Sequence, residues 1–70
     1  MNGKRSMTLN LTDLEMSALE ALARKKDLSK TALIRQALRL FQLVDARLAK
    51  GEKLFLEDET KTSKSELVVL

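Results

Sequence analysis

The sequence predicts a mainly α-helical protein with one amino-terminal β-strand, assembled as an intertwined homodimer. A strictly alternating hexapeptide lies near the amino terminus, and two segments with helical periodicity follow it. The 70-residue chain contains no cysteine or histidine, so disulfides and Cys/His metal sites are excluded as sources of stability. A chain of about 60 residues buries only roughly 60% of its surface, and self-association is the remaining way to bury more.

The predicted strand is the alternating segment, residues 6–11. Apolar side chains fall on one face of this strand and short polar ones on the other: Met7, Leu9 and Leu11 against Ser6, Thr8 and Asn10. A single strand leaves its backbone N–H and C=O groups unpaired. We therefore expect two copies to pair their strands antiparallel about a two-fold axis, with both polar faces outward.

The first helix is predicted from about residue 13 to residue 26. Thr12 is a suitable N-cap, and Glu15, three residues later, completes a capping box. Ser29 is a suitable N-cap for a second helix, which continues to Lys50 and stops at Gly51. These signals predict two consecutive helices with a short break between them.

The apolar stripe of the second helix is wider than one packing partner requires, so we expect part of it to meet a second subunit. The predicted dimer core combines this stripe with the apolar strand face and one residue of the first helix. It consists of Met7, Leu9, Leu11, Leu22, Ile34, Leu38, Phe41 and Val44.

The composition changes after residue 50, which predicts a domain over residues 1–50 and a separate carboxyl-terminal tail over residues 51–70. Two short apolar runs, residues 53–56 and 67–70, have strand-like composition and are separated by a polar stretch. The connection has no Gly or Pro turn signal. The tail is therefore predicted to be either a β-hairpin or a flexible segment.

The charges are unevenly distributed along the chain. Residues 1–50 contain ten basic and five acidic side chains, whereas residues 51–70 contain three basic and five acidic ones. A basic body indicates a polyanionic partner. The absence of histidine and cysteine argues against an enzyme, and we expect no metal or cofactor. No segment approaches the roughly 20 apolar residues of a membrane span, so a cytoplasmic protein without membrane contact is expected.

A two-stranded ribbon fits the DNA major groove, which is about 12 Å wide. Its outward side chains, Ser6, Thr8 and Asn10, have the length and chemistry to contact base edges. The free N–H groups at the start of the second helix favour phosphate binding. The predicted phosphate contacts are Lys4, Arg5, Ser29, Lys30 and Thr31.

Residues 5–44 resemble the ribbon-helix-helix DNA-binding proteins of the CopG, Arc and MetJ kind. The similarity is carried by the alternating strand, the capped first helix and residues 27–34, Asp-Leu-Ser-Lys-Thr-Ala-Leu-Ile, which look like the family's Gly-Leu-Ser-Lys-Ser turn. The resemblance implies base contacts by the outward strand residues and a phosphate held by the first turn of the second helix. Two positions depart from the pattern: Asp27 stands where glycine is common, and Ser6 where many members carry a basic residue.

The main functional hypothesis is a sequence-specific transcriptional regulator, a repressor whose dimers bind side by side on double-stranded operator DNA. The alternative is an antitoxin of a toxin-antitoxin pair, with the same DNA-binding dimer and a tail that binds the toxin. A third hypothesis is a helical dimer whose ribbon binds protein. A helix-turn-helix, with Lys30, Thr31, Arg35 and Gln36 in the groove, is the structural rival.

Overall fold

The computed structural model describes residues 3–68 and contains two α-helices followed by a two-stranded antiparallel sheet. Helix α1 spans Asp13–Lys26 and helix α2 spans Lys30–Ala49. Strand β1 spans Leu54–Glu57 and strand β2 spans Lys64–Leu67. The fold is mainly helical, as predicted. The chain forms two compact units, Met1–Ile34 and Arg35–Leu70, and the predicted domain boundary at residue 50 stays a prediction.

The predicted amino-terminal strand is wrong for the single chain. Residues 6–11 form no strand, and the sheet of the described residues comes after the helices. The physical reason is the lack of a ladder partner, because residues 3–11 make no backbone hydrogen bond with any other described segment. Residues 3–10 are exposed, and even the apolar Met7 is 79% exposed.

Helix α1 begins and ends at the predicted residues because side chains and a left-handed turn satisfy its terminal groups. The N–H of Thr12 donates to the Glu15 carboxylate at 2.9 Å, and the N–H of Glu15 donates to the Thr12 hydroxyl at 3.1 Å. At the other end, Asp27 has a φ of 54°. The N–H groups of Asp27 and Leu28 then donate to carbonyls of the last turn, which forms a Schellman motif.

Helix α2 is capped by Ser29, whose hydroxyl accepts a hydrogen bond from the N–H of Ala32 at 3.0 Å. The helix ends in a second Schellman motif at Gly51, which has a φ of 87°. There the N–H of Gly51 donates to the Leu48 carbonyl, and the N–H of Glu52 donates to the Arg47 carbonyl. The predicted bounds of this helix are confirmed to within a residue.

The core of the described chain is small. Only two hydrophobic residues are buried, Ala23 of α1 and Leu33 of α2, with 6% and 8% of their surface exposed. Both lie in the first compact unit, where Met16, Leu19 and Leu28 are half-buried. Two buried side chains provide little of the apolar burial that a stable domain requires. Most of the large apolar side chains of residues 3–68 therefore remain exposed or only half-buried.

The carboxyl-terminal tail forms a β-hairpin, which settles the choice between a hairpin and a flexible segment for the described residues. Strands β1 and β2 pair so that Leu54 lies opposite Leu67 and Glu57 opposite Lys64. Val69 and Leu70, which belong to the second predicted apolar run, lie outside the described residues. In this second unit, apolar side chains of α2 and the hairpin line a common groove: Ala37, Leu40, Phe41, Val44, Leu54 and Leu67.

A single carboxylate organises the turn of the hairpin. Asp58 accepts hydrogen bonds from the N–H groups of Thr62 and Ser63 and from the Thr62 hydroxyl, at 2.6 to 3.1 Å. Lys61 takes the left-handed conformation, with a φ of 59°. The hydrogen bond from the Thr62 side chain, followed by that from the Ser63 backbone, lowers the pKa of Asp58 to about 2. This network forms the turn without glycine or proline.

Candidate nucleic-acid interface

The segment before α1 presents the predicted base-contacting side chains to solvent. Ser6, Thr8 and Asn10 are exposed, as are Lys4 and Arg5. Their side chains take part in no hydrogen bond or ion pair within the described chain. Their hydrogen-bonding groups are accordingly free to contact another molecule.

The start of α2 is the second part of the candidate interface. The N–H groups of Lys30 and Thr31 are the first two of the helix, and neither has a hydrogen-bond partner among the described residues. The Ser29 hydroxyl accepts the capping bond with its oxygen, so its hydrogen can still be donated to an anion. Together with the positive end of the helix dipole, these donors favour a negatively charged group.

An ion pair restrains one of the predicted phosphate contacts. The Lys30 ammonium lies 3.0 Å from a carboxylate oxygen of Glu20 in α1. The side chains are 51% and 43% exposed, and exposed pairs of this kind contribute about 0–1 kcal/mol. The ion pair with Glu20 therefore holds the Lys30 side chain only weakly. Sequence reasoning missed Glu20 because it lies ten residues before Lys30, and no local spacing rule links the two positions.

Charges of both signs flank the break between the helices. Arg24, Lys25 and Lys26 occupy the last turn of α1, where cations interact favourably with the helix dipole. They are exposed and form no ion pair in the described chain. Asp27 follows them directly and is also exposed. Its negative charge opposes both the helix dipole and an approaching phosphate.

The predicted dimer-core residues are not buried within the chain. Leu11 and Val44 are half-buried, and the other six are exposed to between 36% and 79%. This exposed set comprises Met7, Leu9, Leu22, Ile34, Leu38 and Phe41. Large exposed apolar side chains typically mark an interaction surface when many occur together. Their assignment to a dimer core stays a prediction.

The structure does not connect the two halves of the predicted DNA-binding surface. No described hydrogen bond or ion pair links residues 3–11 to the start of α2. The roles of the individual side chains in base and phosphate contact stay predictions.

Comparison of the chain with known protein families, curated proteins and solved structures found no match. Within residues 3–68, neither helix combines the length and apolar character needed to cross a membrane. The same residues contain no cluster of three or more carboxylates that could hold a metal ion.

Proposed function

We propose that this protein is a homodimeric, sequence-specific DNA-binding regulator that acts as a repressor in the cytoplasm. Two amino-terminal segments pair as an antiparallel ribbon, and their polar side chains enter the major groove. The observation that carries the proposal is the exposure and the unpaired backbone of the segment before α1, residues 3–11. This segment has no hydrogen-bonded partner among the described residues and lies directly before a capped helix. It is exposed over residues 3–10 and alternates between apolar and short polar side chains over residues 6–11.

The helical part of the chain supports the proposal. The capped first helix and the Ser29 cap, two of the features on which the ribbon-helix-helix resemblance rests, are present. Asp27 departs from the glycine of the pattern but adopts the left-handed conformation that a glycine would favour there. The local geometry needed to present the start of α2 to a phosphate is therefore retained.

The exposed apolar surface supports the dimer. Pairing of the two segments would satisfy their backbone groups and allow Met7 and Leu9, now 79% and 50% exposed, to be buried between subunits. The same association would cover the exposed apolar residues of α2. A monomer would leave all of this surface in water.

Selection of bound sites from random DNA, followed by titration of the selected site, tests the proposal. We expect Thr8→Ala and Asn10→Ala each to weaken specific binding by about 1–3 kcal/mol, because each removes a base contact. Ser17→Ala, an exposed serine of α1, is the matched control and should change nothing. Operator discrimination that is unchanged in both variants would exclude the ribbon mechanism.

The salt dependence of binding separates this proposal from a protein-binding ribbon. The cationic phosphate contacts proposed here are Lys4, Arg5 and Lys30, which gives six per dimer and a slope of log K against log salt on the order of −5. Lys30→Ala should make the slope shallower by about 2, because each dimer loses two contacts. An affinity that is independent of salt would contradict DNA binding.

The antitoxin alternative differs only in the role of the tail. The described part of the tail already folds as a hairpin, so it has structure without a toxin. Removal of residues 52–70 distinguishes the two functions. If dimerisation and DNA affinity fall, the hairpin belongs to the DNA-binding fold; if both are retained, a separate partner for the tail is favoured.

A further inference from the structure

The hairpin has an open edge along β1. The described sheet contains two strands only, so each strand has one hydrogen-bonded neighbour. An isolated two-stranded hairpin is marginally stable in water, and an apolar edge strand is a template for further pairing. Strand β1 reads Leu-Phe-Leu-Glu and is preceded by Lys53. It contains neither proline nor a bulge, and no charge lies within its apolar run.

The hydrogen bonds of the turn determine which residues of β1 direct their backbone groups towards β2 and which direct them outward. The N–H of Asp58 donates to the carbonyl of Ser63, the residue directly opposite it, so these two form a hydrogen-bonded pair. Because hydrogen-bonded and non-hydrogen-bonded pairs alternate in an antiparallel ladder, Leu54 and Leu56 direct their backbone groups towards β2. Within β1, the backbone groups of Phe55 and Glu57 are therefore directed towards the open edge.

The residues at this edge are self-complementary. If two β1 strands pair antiparallel with Phe55 opposite Phe55, then Leu54 lies opposite Leu56 and Lys53 lies opposite Glu57. This register keeps each apolar side chain next to another apolar side chain and places opposite charges directly across from each other. Neither Lys53 nor Glu57 has an ion-pair partner within the described chain.

The same register also allows the outward N–H and C=O groups of the two β1 strands to form hydrogen bonds with each other. Phe55 forms the central hydrogen-bonded pair of the new ladder, and its backbone groups are directed outward. Glu57, which is also directed outward, pairs with Lys53 of the other copy, which lengthens β1 by one residue. A register shifted by one residue would pair Leu54, whose backbone groups are directed towards β2, with Phe55, whose groups are directed outward, so the two could not exchange hydrogen bonds. Side-chain and backbone requirements therefore select the same arrangement.

We infer that β1 is a second self-association surface, which pairs with β1 of another copy about a two-fold axis through Phe55 to form a four-stranded sheet. The occupant of the edge is a second copy of this chain, because the Lys-Leu-Phe-Leu-Glu segment is complementary to itself in both charge and hydrogen bonding. The exposure of Phe55 and Leu56, 43% and 62%, leaves both available for this contact. The inference rests on the hairpin alone and does not depend on DNA binding.

Strand β2 offers the competing edge. Self-pairing about Ser65 would place Lys64 opposite Glu66, which is also complementary, but the central pair would be Ser65 with Ser65. Charged side chains at a strand edge disfavour association in natural sheets, and this edge would bury little apolar surface. The β1 edge is favoured because its centre contains Leu and Phe.

Cysteine cross-linking of the full-length chain tests the inference, since the protein has no natural cysteine. In the proposed sheet the two Phe55 Cα atoms are about 5.5 Å apart, within the range for a disulfide. The two Ser65 Cα atoms lie three strand spacings apart, roughly 14 Å, too far for a disulfide. We expect Phe55→Cys to cross-link at least 10-fold faster than the matched control Ser65→Cys. Equal rates, or faster cross-linking at Ser65, would overturn the inference.

A charge swap in the Phe55→Cys background provides the second test. Lys53→Glu places a glutamate opposite Glu57 of the other copy, so it should slow cross-linking several-fold. Because Glu57 also lies opposite Lys64 within the hairpin, the compensating variant changes all three charges, Lys53→Glu/Glu57→Lys/Lys64→Glu, and should return the rate to within about 2-fold of the parent. Failure of this triple variant to recover would contradict the register. If the wild-type protein did not bind DNA, the expected results of both cross-linking tests would be unchanged.

Discussion

Asp27 is the residue at which local backbone strain and charge coincide. Its left-handed conformation, with a φ of 54°, costs an L-residue about 1–2 kcal/mol, a cost that glycine does not bear. The residue also places a negative charge at the carboxyl end of α1, where cations are favoured. The resemblance to a Gly-Leu-Ser turn and the observed geometry point to the same strained position.

We expect Asp27→Gly to raise the free energy of unfolding by about 0.5–1.5 kcal/mol, because it relieves the backbone strain and removes the charge. Asp27→Asn is the matched control, since it removes the charge and retains a side chain that tolerates this conformation. Urea unfolding of the three proteins measures both effects. A glycine variant no more stable than the asparagine variant would show that strain at this position is negligible.

The hairpin turn is the element that an ionised side chain stabilises. Asp58 is exposed, yet hydrogen bonds from Thr62 and Ser63 lower its pKa from an ordinary 3.8 to about 2. Because the folded-state pKa is depressed, the contribution of this carboxylate is fully present above about pH 4. It is lost as the pH falls towards 2.

We expect Thr62→Val to raise the pKa of Asp58, because the valine removes the hydrogen bond that lowers it most. The chemical shift of the Asp58 carboxyl carbon, followed by NMR from pH 6 to pH 1.5, reports the midpoint directly. Thr8→Val, an exposed threonine outside the hairpin, should leave the Asp58 midpoint unchanged. An identical midpoint in Thr62→Val and wild type would mean that the turn network does not hold in solution.

For the whole molecule, the shortage of buried apolar residues predicts that stability depends on association. Only Ala23 and Leu33 are buried among the described residues, whereas a folded domain normally buries many more. An obligate dimer gains its core from the partner, so its melting temperature should rise with protein concentration. A melting temperature independent of concentration, together with a monomer mass in solution, would refute the dimer.

The predicted burial between subunits can be tested by making the same substitution at two leucines that are exposed in the single chain. Leu38 belongs to the predicted dimer core and is 60% exposed, whereas Leu14 lies outside that core and is 85% exposed. If Leu38 becomes buried between subunits, Leu38→Ala should cost about 2–5 kcal/mol of stability per subunit. Leu14→Ala should be within about 0.5 kcal/mol of the wild type. Chemical unfolding of both variants at equal concentration gives the comparison, and equal effects would contradict the predicted core.

Features governed by residues close together in the chain could be predicted from the sequence. The Thr12 and Glu15 capping box, the Ser29 cap and the Gly51 helix end involve atoms within a few residues of one another, and all are present. The ion pair between Glu20 and Lys30 was missed because it depends on how two helices approach each other. The hairpin remained ambiguous because its turn uses the Asp58 network in place of glycine or proline.

The sequence by itself determined the two helices, their ends and the alternation of residues 6–11, because capping and periodicity are local properties of the chain. Only the tertiary structure decided which segments form a sheet. Residues 6–11 lack a ladder partner within the described chain and form no strand, whereas residues 54–57 find one in residues 64–67. The physical reason is that a helix satisfies its hydrogen bonds internally, whereas a strand requires a second segment brought beside it.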